Sequence, residues 1–130
     1  MTDRQHMIDI CQAYIFKGLQ DQTPELVPLA DNCLRTELGM ITGRNAAHIR
    51  ELLKGQAYDA VLECYDLNWT VEDNQACVFY KQKLSFTDTP CLVATRFVVA
   101  DKLISEIEIL LFNHGIMDAT AEAVTALADS

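Results

Sequence analysis

The sequence has few of the markers that assign a chemistry at sight. Its five cysteines, Cys11, Cys33, Cys64, Cys77 and Cys91, are an odd number with no C-x-x-C among them. That spacing argues against a disulfide framework and fits reduced, buried thiols in a cytosolic protein. Cys77 and Cys91 fall in predicted strands, where cysteine behaves as a small hydrophobe. His6, His48 and His114 are scattered, and neither H-x-x-x-H nor a mixed His/Cys pair has ligand spacing, so no metal is expected. G-x-G-x-x-G, the P-loop and G-x-S-x-G are all absent, and no organic cofactor is implied.

Positive charge is also scarce. Ten basic residues stand against nineteen acidic ones, for a net charge of −9, with no Lys/Arg cluster to neutralise phosphates. This argues against a nucleic-acid partner and against an anionic membrane surface. No apolar run approaches the ~18 residues that would span a bilayer. The polar start "MTDRQHMIDICQ" resembles neither a secretory signal nor a transit peptide, so the expected location is the cytoplasm.

What is present is an ordinary globular balance. Half of the 130 residues are apolar, enough to bury one core without metal or disulfide support, so a single domain over 1–130 is expected. Residues 3–20 place Met7, Ile10, Cys11, Tyr14 and Gly18 at helical spacing, with Gly18 allowing close approach of another element. In "DQTPELVPLAD", Pro24 suits the first turn of a short second helix and Pro28 truncates it. "NCLRTELGMITG" reads as a short strand with a turn at Gly39–Gly43, and Asp31 and Asn32 should sit before it, in a turn. "RNAAHIRELLKG" is an amphipathic helix with Ala46, Ile49, Leu52 and Leu53 on one side and Gly55 at its end.

After Gly55 the period becomes two. "YDAVLECYDLNWTVED" is a long strand, Asp73–Asn74 turns into "QACVFYKQKLSF", and "CLVATRFVV" joins "LISEIEILLF" through "ADK". A closing helix is expected in "GIMDATAEAVTALADS". Helices first and antiparallel strands after make an α+β order.

That order resembles the cone-shaped superfamily of ketosteroid isomerases, SnoaL-like cyclases and nuclear-transport-factor-like proteins. The resemblance rests on the mid-helix tyrosine of "MIDICQAYIFKGL", the short "PELVPLAD" helix, "GRNAAHIREL", and four long strands ending in "DKLISEIEILLF". It implies a strongly curved antiparallel sheet wrapped around three N-terminal helices, an internal apolar pocket, and a homodimer built on the sheet's other face.

The resemblance also implies site residues. Tyr14 matches the tyrosine that donates a hydrogen bond to a developing oxyanion; read from the residues alone, it is a core tyrosine whose hydroxyl finds a carbonyl or a water. Glu37 lies near the register of the family's general base, as glutamate where the isomerases carry aspartate, and its bland alternative is a solvated residue before Gly39. Thr95 stands near the second oxyanion donor, a position the isomerases fill with a protonated aspartic acid. In the last strand, alternation separates Ile104, Glu106, Glu108, Leu110 and Phe112 from Leu103, Ser105, Ile107, Ile109 and Leu111. The plain reading buries the isoleucines. The resemblance instead turns Glu106 and Glu108 into the pocket, makes the isoleucine face a subunit interface, and matches Glu108 to a catalytic carboxylate of limonene-epoxide-hydrolase-like members. Tyr80, Phe97, Trp69, Tyr65 and Phe79 supply aromatic surface for a pocket.

The expected function is therefore a pocket for a small apolar molecule, supporting cofactor-free acid–base chemistry of the isomerase, cyclase or dehydratase kind, with Tyr14 polarising an oxygen and Glu37 or Glu108 moving a proton. The alternative is a non-catalytic ligand-binding or dimerisation module of the same fold.

Overall fold

The computed structural model describes residues 3–55 and 58–112. Helix α1 (Arg4–Ala13) begins at Asp3, whose carboxylate accepts from the His6 N–H. At Tyr14 the helix widens into a π-helical segment, Tyr14–Gln20. A 3₁₀ turn, Pro24–Leu26, has proline in its first turn, and Pro28 follows it directly ahead of strand β1 (Leu29–Glu37). Strand β2 (Met40–Gly43) folds back on β1 through Leu38–Gly39, both at positive φ as a type I′ turn requires. Helix α2 (Ala46–Leu53) is capped by Asn45. Strands β3 (Val61–Glu72), β4 (Gln75–Leu84), β5 (Cys91–Ala100) and β6 (Leu103–Phe112) complete the sheet.

The six strands run in the order β2-β1-β6-β5-β4-β3. Pairing is antiparallel except between β1 and β6, so the sheet is mixed where the strand pattern predicts a wholly antiparallel one. Register shifts in β3, and again at Val98–Val99 against β6, bend the sheet, because an extra residue in one strand kinks and twists it locally. Asp31 and Asn32 belong to β1 rather than to a turn. The predicted C-terminal helix lies outside the described residues.

The inner face of the curved sheet carries Val78, Phe97 and Ile107, all at most 2% exposed, and the helices close over it with Met7, Cys11, Ile49 and Leu53. Gly18 sits where a side chain would press on Leu53 and Val27, which lets the π segment lie close to α2. Gly43 is tighter still: opposite Arg35 in the β1–β2 ladder, it faces Ile49 with no room for a methyl. No helix among the described residues is long and apolar enough to cross a membrane.

Candidate functional site

Between the π segment and the inner sheet face lies a cavity of about 290 Å³, at the small end of the ~300–1,000 Å³ range of ligand sites. Its wall is mainly apolar, from Leu19, Val61, Leu84, Val93, Ile109 and Leu111. Its polar groups are Tyr14, Glu37, Tyr58, Tyr80 and Gln82. A more open depression of about 370 Å³ lies on the sheet beside Phe79, Leu92 and Phe112, and its polar lining is the exposed Lys81–Asp66 ion pair with Asn68 and Tyr80.

The polar end of the inner cavity is organised by a residue that does not touch it. Strand alternation places Cys33, Arg35 and Glu37 on one face of β1, and Arg35 is 1% exposed. Its Nη1 donates to the Tyr14 hydroxyl at 3.1 Å, and its Nη2 donates to the Thr42 carbonyl at 3.0 Å. Nη2 also lies 3.6 Å from Glu37 Oε1, and the guanidinium carbon stands 5.4 Å from the centre of the Tyr58 ring. The Arg35 Nε is buried with no partner among the described residues. Arginine keeps its proton in proteins, so this is a permanent cation in the interior.

Glu37 answers that charge in an asymmetric way. Oε1 accepts from the Tyr58 hydroxyl at 2.9 Å and from Thr42 Oγ1 at 3.3 Å, and it is also the oxygen nearest Arg35. Among the described residues, Oε2 makes no hydrogen bond. One oxygen thus carries every hydrogen bond that the carboxylate makes with the described residues, and Glu37 borders the cavity.

The phenols are held neutral. Burial pushes Tyr14 up from its ordinary value, an effect that the Arg35 cation and its hydrogen bond partly offset. Burial likewise raises Tyr58 and Tyr80, each further raised by Tyr14. Tyr14 accepts from Arg35 and donates to none of the described residues. Thr95, one diagonal step from Tyr80 on the sheet, has a buried hydroxyl with no hydrogen-bond partner among the described residues, although it lies near enough to favour the Tyr80 anion slightly.

The sequence-predicted residues divide three ways. Tyr14, Glu37 and Tyr80 border the cavity. Phe97 and Thr95 lie behind it: Phe97 is fully buried and packs edge-on against Tyr14, with ring centres 5.8 Å apart. Glu106 and Glu108 do not enter the cavity. They lie on the outer face, where Arg96 binds Glu106 at 2.6 Å and Glu108 at 3.1 Å. Ile107 is fully buried and Ile109 lines the cavity, so the isoleucine face is core and not a subunit interface. The physical reason is parity: β6 pairs with β5 so that both glutamates share a face with Arg96, while Ile107 and Ile109 oppose Phe97 and Thr95. Phe79, 68% exposed, is also on the outer side. Arg35 and Tyr58 went unrecognised in the sequence. For Arg35 the signal exists, because placing Glu37 inward by alternation places Arg35 inward too.

Solved structures share this architecture. An LEH-like epoxide hydrolase from M. tuberculosis superposes with a TM-score of 0.70 at 15% identity, covering 95% of this chain and 96% of that one. A Kribbella flavida protein named as a candidate ketosteroid isomerase gives 0.71 at 17% identity over 86% of this chain and 82% of its own. An NTF2-like protein from Burkholderia xenovorans gives 0.65 at 16% identity over 92% and 99%. At such identities the common property is the fold, and the chain has the curved α+β fold of the NTF2-like and ketosteroid isomerase-like proteins. The model of the domain of unknown function DUF8021 matches residues 1–111, and the chain belongs to that family. No curated protein matches the chain in sequence.

Proposed function

We propose that the inner cavity binds a small, mainly apolar and uncharged molecule through one proton-donating group, with Glu37 as proton acceptor and the Tyr14 phenol as donor to a neighbouring oxygen. The observation that carries this reading is the one-sided anchoring of Glu37, in which Oε1 is fixed and Oε2 is left over. Arg35 and Glu37 balance in charge, and among the described residues Glu37 is the one charged side chain that borders the cavity, which favours neutral ligands over ions. The chemistry that suits these groups is cofactor-free proton transfer: Glu37 takes a proton beside a carbonyl or from an enol, and Tyr14 steadies the oxygen that gains charge. The names of the structural neighbours, an epoxide hydrolase and a candidate isomerase among them, agree with a pocket used for chemistry.

The test is titration with a panel of phenols and cyclic enones against the wild type and Glu37→Gln. Loss of the acceptor should weaken phenol binding roughly tenfold to a hundredfold, the worth of a hydrogen bond to a charged group. Equal binding by both proteins would remove Glu37 from the site.

The same chain is proposed to form a homodimer through the outer sheet face. There Phe79, Leu92, Leu110 and Phe112 are all 44% exposed or more, an apolar patch that a monomer seldom leaves bare. Sedimentation at micromolar concentration decides it, and a clean 14.6 kDa species would overturn the dimer.

A further inference from the structure

Resting on the reading of the cavity given above, we infer that its ligand carries a second, neutral hydrogen-bonding group of the carboxamide kind, received by Gln82 on the β4 side. The cavity wall is polar in two places and apolar between them. Glu37 borders it from β1, and Tyr14 and Tyr58 gather there around Arg35. Gln82 borders it from β4. Between the two run β6 and β5, which present Ile109, Leu111 and Val93. Glu37 and Gln82 are thus three strand steps apart, about 4.8 Å each in a flat sheet, a separation that curvature shortens. They are also offset along the strands, since Glu37 is level with Thr95 through Ile109 whereas Gln82 is level with Cys91. A single hydroxyl or carbonyl on a small ligand does not meet both. A molecule with a polar group at each end of an apolar body does.

Gln82 is an unusual residue for its place. Strand alternation sets it on the inner face after Ala76, Val78 and Tyr80, each of them buried. Directly across the ladders stand Cys64 on β3 and Cys91 on β5, both buried thiols. A thiol is a weak donor and a weak acceptor, whereas an amide offers two N–H donors and an oxygen that accepts twice. Gln82 lies close enough to Cys64 to offset part of the burial that pushes this thiol up. Among the described residues the amide finds no oxygen or nitrogen partner, and Gln82 is half-buried at the cavity. A leucine or methionine would line that wall at less cost, because an amide set among apolar groups gives up water. A ligand group that both donates and accepts, as a carboxamide does, supplies the partners that the wall lacks. An alkyl group in the same place would leave the amide unpaired, which discriminates against it. Gln82 therefore sets specificity, and Glu37 and Tyr14 keep the roles proposed for them.

Two matched series of para-substituted phenols test this by titration. One carries a carboxamide on tethers of increasing length, and the other an isopropyl group of the same shape on the same tethers. At one tether length the wild type should bind the amide several-fold more tightly than its alkyl twin. Gln82→Leu should shift that ratio toward the alkyl compound by about tenfold, the worth of one to two neutral hydrogen bonds. A ratio that Gln82→Leu leaves unchanged overturns the inference, including the case in which both series weaken together. So does a wild type with no amide preference at any tether length. Should Gln82→Leu not fold, Gln82→Met carries the same comparison. Unsubstituted phenol separates the two readings. If the wild type does not bind it, or Glu37→Gln binds it equally well, the cavity reading falls and this inference with it. Glu37-dependent binding of phenol without an amide preference overturns this inference alone.

Discussion

Arg35 donates from Nη1 to the hydroxyl oxygen of Tyr14 across 3.1 Å, and both side chains are buried. The phenol is therefore the cation's acceptor as well as a group at the cavity. The structural role and the proposed functional one meet in one oxygen.

Tyr14→Phe should lower both stability and ligand binding. The substitution strands a buried Arg35 donor, which should cost about 1–3 kcal/mol in urea unfolding. Phenol binding should weaken in the same variant. A loss of stability with unchanged binding would make Tyr14 a core residue alone.

Glu108→Gln should do little. Its carboxylate lies on the outer face, and Arg96 keeps Glu106 when Glu108 is neutralised. An exposed ion pair of this kind is worth under about 1 kcal/mol. The urea midpoint should barely move and phenol titrations should coincide with the wild type. A large loss of binding would mean that the last strand presents its glutamates inward.

Gly43→Ala tests the packing that seats the cation. A methyl there would overlap Ile49 Cγ1 and stand 3.1 Å from the Arg35 Cβ. Overpacking of this kind costs about 1–3 kcal/mol. Urea unfolding measures the cost. Because β1 must shift to relieve the overlap, phenol binding should weaken as well.

Alkali should destabilise the protein before it reaches any exposed group of the site. Burial pushes the Cys11 and Cys64 thiols from 9.0 up to about 12, and raises Tyr14, Tyr58 and Tyr80 above their usual value of 10.0. The folded state then holds protons that the unfolded chain releases. The stabilisation is complete below pH 9 and is lost as pH rises toward 12. Urea midpoints compared at pH 8 and pH 10.5 should fall, and a flat profile would contradict the burial of these groups.

Much of the arrangement was legible in the sequence because it follows from periodicity. Helical spacing turned Tyr14 inward, and strand alternation alone buried Ile107 and Ile109. Borrowing the register of resembling families reversed the last strand, since a one-residue slip exchanges the two faces and no local feature of "LISEIEILLF" forbids it. Only the pairing with β5, which sets Glu106 and Glu108 beside Arg96, fixes the choice. Arg35 escaped notice because arginine is so seldom fully buried that its parity with Glu37 carried no weight. The parallel pairing of β1 with β6 joins Arg35 to Ile107, and contacts that distant along the chain leave no local trace.

That long-range pairing sets an order of assembly. Strand β1, which carries Arg35 and Glu37, is flanked by β2 on one side and by β6 on the other. During synthesis the first flank is available almost at once, while the second arrives only when the chain has been made through Phe112. Until then Arg35 has Glu37 and Thr42 within its own hairpin but lacks the packed wall of Ile107 and Ile109. The nascent protein must keep an unpaired strand edge and a solvated cation waiting for β6, a slow, non-local closure that exposes it to mispairing with other chains.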